Sequence, residues 1–311
     1  MRGIIMKGKM RLELVKGWLA KSWIPLIEIT AFMLLQLDVM IVVGITGSSE
    51  VVANYRVVQI YMQTIASIGL VTIGLYPSLL SSVENAGVKR ALTESINLTM
   101  FLGVPAVVGV MTCADHLLAL LRMEYLINSN TLRIAAVHAL LTMCTSILSA
   151  ALRGTEKVDL NEKITLRAYV KSRLFTVSFG YWALPAVVLP SIALISNFFI
   201  SSPVQLVFLW YLLYIIGGVI YLLYLSVLAK KSRIAVEVDL KTVASIMFSA
   251  IFSALFVFLS GQHLVVSPSF LTMFVNVTIL LAVGCSYFVL LSLTSSWFRR
   301  LVKDIVSFLK P

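Results

Sequence analysis

Eight apolar runs, each long enough to cross a lipid bilayer, follow one another along the chain and are joined by short polar segments. A helix needs about 20 apolar residues to cross the hydrocarbon layer, so each run is long enough to span it. The runs predict transmembrane helices at residues 22–44, 52–80, 95–118, 131–152, 172–196, 203–229, 242–261 and 268–294. The pattern predicts an all-α integral membrane protein with about eight spans.

The composition agrees with a membrane protein: 59% of the residues are hydrophobic and only 13% are charged. Soluble globular domains carry about 25% charged residues, so an ordinary soluble enzyme is excluded. The three cysteines, Cys113, Cys144 and Cys285, lie in apolar runs without a CxxC pair. They are predicted to be small buried side chains that form neither a disulfide framework nor a zinc site.

The basic residues alternate between the two sides of the predicted spans. Of the 25 Lys and Arg, 22 fall on one side, and only Arg56, Arg122 and Arg133 belong to the other. Because cytoplasmic loops carry the excess of basic residues, both termini are predicted to be cytoplasmic. The net charge of +11 is then loop charge, which argues against a nucleic-acid partner.

The chain divides by these patterns into four predicted parts. A basic amphipathic arm at 1–21 precedes a six-helix lobe at 22–229, two additional helices at 230–294 and an amphipathic cytoplasmic tail at 295–311. The arm and the tail mix basic and apolar residues at helical spacing, which suits helices lying on an anionic inner leaflet. Simple solvated flanks of the spans are the alternative reading.

Two opposite charges lie inside the first two spans. Asp38 is about six residues from the outer end of the first, and Arg56 enters about five residues into the second, so both lie about 7–9 Å below the outer boundary. The short connection makes the two helices antiparallel neighbours, and either charge alone would be costly at that depth. Asp38 and Arg56 are therefore predicted to pair, either as a static bridge or as a pair that opens toward substrate or a proton.

Polar residues also follow one face of two predicted helices. Arg56, Gln59, Gln63 and Ser67 share a face of the second span, and Gly74, Ser78 and Ser81 prolong it; His138, Thr142, Thr145 and Ser149 share a face of the fourth. Such faces line a cavity or hydrogen-bond to another helix. His138 is open to two readings, a packing histidine or one that contacts a proton or substrate.

The second half of the chain lacks ionisable side chains within its predicted spans, although Tyr211, Tyr214, Tyr221 and Tyr224 lie there. The tyrosines are predicted to serve packing, and any chemistry is expected in the first half. No phosphate-binding glycine loop, metal-ligand cluster or Ser/His/Asp constellation is recognisable, and the connections are short. The sequence therefore favours a non-enzyme without a cofactor, with proton or sodium coupling as the open alternatives.

Four segments, in order, resemble the polysaccharide and oligosaccharide flippases, a family of the superfamily that also contains multidrug exporters. They are LDVMIVVGITGSSEVVANYRVVQI, GLYPSLLSSVENAGVKRAL, LLALLRMEYLINSNTLRIAAV and LRGTEKVDL, which together cover about residues 25–165. The resemblance implies an all-helical fold of two six-helix lobes, often followed by two extra helices, around a polar cavity. Its cargo would be a lipid-linked glycan turned from the inner to the outer leaflet.

This chain differs from that pattern because eight spans match one lobe plus the two extra helices. The resemblance therefore implies one product of a divided transporter, a partner chain or second copy that supplies the other lobe, or a remnant without transport. The sequence predicts a multi-pass flippase of the cell membrane. The candidate substrate-binding or coupling residues are Asp38, Arg56, Gln59, Gln63, His138 and Thr142. The alternatives are a multidrug/cation antiporter and a non-transporting subunit or assembly factor.

Overall fold

The computed structural model describes residues 23–69, 85–155, 170–199, 202–232, 238–260 and 270–309, and these ranges contain helices and no strand. The helices are α1 (Trp23–Leu35), α2 (Leu37–Thr46), α3 (Ser49–Ala66), α4 (Asn85–Leu121), α5 (Ser129–Gly154), α6 (Arg173–Phe198), α7 (Pro203–Lys231), α8 (Leu240–Ser260), α9 (Phe270–Thr294) and α10 (Ser296–Leu309). A short 3-10 helix, Met123–Asn128, joins α4 to α5. The predicted all-α class is confirmed for this part of the chain.

Five segments of the described chain are long and apolar enough to cross a membrane: Ile29–Thr46, Lys89–Leu121, Met123–Gly154, Arg173–Phe198 and Pro203–Lys231. They make the chain a multi-pass membrane protein. Shorter apolar stretches, Leu240–Phe256 and Gly284–Thr294, lie in the last two predicted spans. The arm at 1–21 and residues 70–80 of the second predicted span lie outside the described residues, so the count of eight spans stays a prediction.

The first predicted span is two helices rather than one. The backbone makes a turn at Gln36, whose amide donates to the carbonyl of Met33 at 3.1 Å, and α2 begins at the next residue. Gly47 ends α2 with φ of 63°, a left-handed conformation that glycine adopts without steric cost. Ser48 then caps α3, because its hydroxyl accepts from the amide of Val51. This tight connection makes α2 and α3 a helical hairpin.

α5 is the central helix of the described bundle, and it packs against α3, α4, α6 and α7. Its buried side follows helical spacing through Leu132, Ala135, Ala139 and Met143. The largest apolar cluster joins these helices with α2, and its bulkiest fully buried side chains are Trp210 and Tyr211 of α7. Burial of small alanines on α5 lets neighbouring helices approach closely.

Hydrogen bonds between polar groups fix the position of α3 in the bundle. Asn128 Nδ2 donates to Asn54 Oδ1 at 2.9 Å and ties the 3-10 helix to α3. Tyr61 donates to the carbonyl of Leu117 on α4 at 2.5 Å. In an apolar environment such bonds matter, because an unpaired polar group has no water to replace its partner. The place of α3 is therefore set by polar as well as apolar contacts.

Gly180 of α6 packs directly against Tyr224 of α7. A Cβ placed there would lie 2.4 Å from Cε1 of Tyr224, inside the distance that real contacts allow. The tyrosine ring is held in place because its hydroxyl donates to the carbonyl of Thr176 at 2.9 Å. The absence of a side chain at residue 180 is thus what allows these two spans to pack.

The last helices attach to α4. α8 packs on α4, and α9 packs on α8, around a cluster that contains Phe101, Ile246, Tyr287 and Leu291. Tyr287 donates to the carbonyl of Phe101 at 2.9 Å. The predicted division into a six-helix lobe and two additional helices, with its boundaries, stays a prediction. One expectation is wrong here: Cys285 of α9 is exposed, whereas Cys113 is buried.

Candidate functional site

Asp38 is the buried charge at the centre of the site. It lies in the first turn of α2 and is only 2% exposed. Its Oδ2 accepts hydrogen bonds from the hydroxyl of Tyr55 on α3, at 3.2 Å, and from the hydroxyl of Tyr214 on α7. Its Oδ1 accepts from the amide of Val39 at 2.6 Å. The carboxylate therefore joins three helices through donors that stabilise its negative charge.

Aromatic rings form the wall around this carboxylate. Tyr55 stacks on Trp210 with ring centroids 4.1 Å apart and planes 9° apart, and it lies 5.6 Å from the ring of Tyr211. Trp210 and Tyr211 are fully buried. Stacked rings of this kind contribute beyond the area they bury, and they hold the hydroxyl of Tyr55 in register with Asp38. The α7 side of the site is therefore closely packed.

The predicted ion pair between Asp38 and Arg56 is wrong. Arg56 is exposed, and its Nη1 donates instead to Oε1 of Gln59 at 2.5 Å. The physical reason is the rotation between consecutive helix residues, which turns Arg56 about 100° away from Tyr55. Tyr55 takes the inward position, and it is the side chain that reaches Asp38. Counting residues put both charges at the same depth, but it did not show which side of α3 faces Asp38.

Gln59 connects the buried and exposed parts of α3. It is 4% exposed, and its Nε2 donates to the Tyr55 hydroxyl at 3.5 Å while its Oε1 accepts from Arg56. One chain of hydrogen bonds thus runs from Arg56 through Gln59 and Tyr55 to Asp38. The two charges that were expected to touch are linked through two neutral side chains.

The predicted polar face of α3 is confirmed only in part, and apolar Ile60 is also exposed between two of its members. Arg56, Gln63 and Ser67 are exposed along one side of the helix, whereas Gln59 lies at the edge of this face and is buried. The prolongation through Gly74, Ser78 and Ser81 lies outside the described residues. An arginine and a glutamine on the exposed side of a helix in a membrane bundle are poorly suited to hydrocarbon. We refer to Arg56, Gln63 and Ser67 as the α3 polar face.

His138 and Thr142 lie on α5, beside the carboxylate site. The ring of His138 is 5.3 Å from that of Tyr214, and its Nδ1 is buried without a hydrogen-bond partner among the described residues. The hydroxyl of Thr142 donates to the carbonyl of His138 at 3.0 Å, one turn earlier on its own helix. His138 is therefore placed next to a donor to Asp38, whereas the donor of Thr142 is used within α5.

Tyr55 and Tyr214 are the site residues that the sequence did not reveal. The expectation that any chemistry belongs to the first half stays a prediction, although Tyr214, which donates to Asp38, comes from the sixth predicted span. One signal was present: a carboxylate in an apolar span requires donors, and tyrosine is the donor that a charge-free span can supply. Which tyrosine meets Asp38 depends on the packing of α7 against α3.

The arrangement can carry out two kinds of chemistry. The α3 polar face offers a guanidinium and a side-chain amide, which bind phosphate or carboxylate groups and sugar hydroxyls. The buried carboxylate can gain a proton, and protonation of Oδ2, which accepts from both tyrosines, would require at least one of the two hydroxyls to change partner. No cluster of three His, Cys, Asp or Glu side chains suited to a metal ion occurs within the described ranges.

Comparisons with protein-family models, with curated proteins and with solved structures found no match to this chain.

Proposed function

We propose that the chain is a membrane flippase that moves a lipid-linked oligosaccharide or polysaccharide precursor across the cytoplasmic membrane. The observation that carries the proposal is the α3 polar face, which exposes Arg56 and Gln63 on a helix of a multi-pass membrane protein. Lipid does not solvate a guanidinium well, so this face suits one wall of a polar passage. The segment resemblance to polysaccharide flippases supports the same function.

The cargo is inferred from the chemistry of the face. Arg56 presents a fixed positive charge, since its Nη1 is already positioned by Gln59. A lipid-linked glycan carries an anionic phosphate beside neutral sugar hydroxyls. Arginine binds phosphate with two parallel hydrogen bonds, and the amide of Gln63 can donate to and accept from hydroxyls. His138 and Thr142 lie on α5 beside Asp38 and not on the α3 polar face, so we assign them a smaller share of the sugar contacts.

Asp38 has the role of the coupling group in this proposal. Both of its oxygens already accept hydrogen bonds, and Oδ2 accepts two, so a proton added to Oδ2 would displace a tyrosine donor. Because the tyrosine hydroxyls belong to α3 and α7, protonation of Oδ2 alters the contact between the two helices. The surrounding donors suit proton exchange better than sodium, which needs several acceptor oxygens directed at the ion.

The test uses the purified full-length chain in vesicles with a fluorescent polyprenyl-diphosphate disaccharide. Dithionite bleaches the label in the outer leaflet, so the rate of further bleaching reports flipping. Arg56→Gln is expected to slow flipping about tenfold or more, the effect of losing one hydrogen bond to a charged group. Arg133→Gln is the matched control, because this arginine pairs with Asp115 at 2.8 Å outside the site. Flipping by the control should remain at the wild-type rate.

Two results would overturn the proposal: wild-type vesicles that bleach no faster than empty ones, or Arg56→Gln protein that flips as fast as wild type. In the first case the α3 polar face would belong to a protein–protein contact in a non-transporting subunit. Cross-linking from a cysteine placed at Gln63 would then capture a partner, and vesicles would need that partner before any transport appeared.

A second candidate, a multidrug/cation antiporter, is favoured by one observation. The carboxylate of Asp38 lies among Tyr55, Trp210, Tyr211 and Tyr214, and aromatic faces beside a carboxylate attract organic cations. Ethidium uptake into the same vesicles distinguishes the two functions. Acid-driven ethidium movement that is abolished by Asp38→Asn, together with no glycan flipping, would favour the antiporter.

A further inference from the structure

α10 begins close to the end of α9, which lies in the last predicted span, and turns away from its axis. Only Ser295 separates it from α9, and the hydroxyl of Ser295 accepts from the amide of Phe298 as a helix cap. The rings of Phe298 and Phe288 are 6.4 Å apart. In one continuous helix these residues would be separated by about 15 Å along the axis. The chain therefore folds back at Ser295, and the start of α10 stays at the end of the span.

Four contacts hold the first turn of α10 against the bundle. The indole nitrogen of Trp297 donates to Oε2 of Glu94 on α4 at 2.7 Å, and its ring packs edge-on to Phe101 at 6.0 Å. Arg299 donates to the carbonyls of Ser292 and Leu293, each at 3.0 Å, which would otherwise be free at the end of α9. The helix therefore has a fixed direction as it leaves the bundle.

The rest of α10 has one apolar and one basic side. Val302, Ile305 and Val306 lie along one side and are 40%, 51% and 47% exposed, so the described part of the chain leaves this side largely uncovered. Arg300 is exposed on the opposite side, and Lys303 is exposed at the edge of the apolar side. The helix carries three basic residues and one acidic residue. This division suits the boundary between water and hydrocarbon, where the apolar side enters the acyl chains and basic groups meet phosphates.

We propose that α10 binds the anionic lipid surface of the leaflet at which α9 ends. Val302, Ile305 and Val306 insert into the acyl boundary, and Arg300 and Lys303 contact phosphate head groups. The partner is a lipid leaflet rather than a protein because the apolar stripe is narrow, directly follows a span and is flanked by positive charge. The role is independent of the cargo and of the transport function proposed above.

The depth of the helix tests the first part of the proposal. The full-length chain is prepared with Cys113, Cys144 and Cys285 replaced by alanine, and single cysteines at Val306 or Ser307 carry a fluorophore. Phosphatidylcholine vesicles with brominated acyl chains should quench the label at Val306 strongly and the label at Ser307 weakly. The two neighbours differ by about 100° around the helix, so they form a matched pair. Equal quenching at both, or none at Val306, would refute insertion.

The charge preference tests the second part. With the label at Val306, brominated phosphatidylglycerol should quench more effectively than brominated phosphatidylcholine at the same fraction. Arg300→Gln and Lys303→Gln should each reduce this preference, by roughly fivefold per charge removed. Lys230→Gln with Lys231→Gln, at the end of α7, should leave it unchanged. Equal quenching by the two lipids in the unsubstituted helix would refute anionic binding, and quenching by neither would indicate that a protein covers the stripe.

Discussion

Replacing Tyr214 by phenylalanine removes one of the two hydroxyl donors to Asp38 and leaves the ring in place. The carboxylate is 2% exposed, so water cannot replace the lost donor. A hydrogen bond to a charged group contributes about 1.5–3 kcal/mol, and Tyr55 and the amide of Val39 still donate. We expect Tyr214→Phe to lower the free energy of unfolding by about 2 kcal/mol. Tyr211→Phe is the control, because that hydroxyl is buried without a hydrogen-bond partner among the described residues.

The assay is unfolding of the purified protein in mixed micelles by titration with sodium dodecyl sulfate, followed by far-UV circular dichroism. Tyr211→Phe should be neutral or slightly stabilising, since it removes an unpaired polar atom. In an Asp38→Asn background the Tyr214→Phe change should cost only about 1 kcal/mol, as for a neutral hydrogen bond. Equal losses for Tyr214→Phe and Tyr211→Phe, or an unchanged loss in the Asp38→Asn background, would refute the assignment of a charge-stabilising bond.

Three further predictions concern the helices and their ends, each measured by the same unfolding titration. Gly180→Ala should destabilise the protein by about 1–3 kcal/mol, because the ring of Tyr224 must move. Adding Tyr224→Ala removes that ring, so the double substitution should relieve part of the strain. Gly47→Ala should cost about 1 kcal/mol, since its φ of 63° is unfavourable for a residue with a Cβ. Asp239→Ala should cost about 1 kcal/mol by removing the cap of α8, and Asp239→Asn should preserve it. The hydroxyl of Thr242 holds the pKa of Asp239 below its ordinary value. The contribution of the aspartate to stability is therefore complete at neutral pH and is lost as acid protonates the carboxylate. An equal loss of stability in acid for the wild-type and Asp239→Asn proteins would contradict this prediction.

The spans could be predicted because hydrocarbon length and hydropathy act on each segment separately. The runs at 172–196 and 203–229 correspond to α6 and α7 with ends shifted by a few residues. The break at Gln36 could not be predicted in the same way, since its neighbours on both sides are apolar. Hydropathy reports whether a segment crosses the membrane and does not report whether its backbone is continuous.

The sequence predicts some of the residues of the site, but it does not predict which of them contact each other. Asp38 and Gln59 were identified by their polarity, and both are buried in one hydrogen-bonded network. Depth along the membrane follows from counting residues, but the direction of a side chain around its helix depends on which neighbours pack there. For that reason Arg56 was paired wrongly, and Tyr214, which is 176 residues from Asp38, was not recognised as its donor.

Because of the break at Gln36, a new helix, α2, begins inside the first predicted span. In an unbroken helix the amide of Val39 would bond to the carbonyl of Leu35, four residues earlier. The break leaves that amide available, and it donates to Asp38 Oδ1. Free amides at a helix start carry partial positive charge, so the backbone itself supplies an electropositive environment for the carboxylate. The span can therefore keep an acidic group without a basic side chain opposite it, and the arginine on the next helix remains available to face outward.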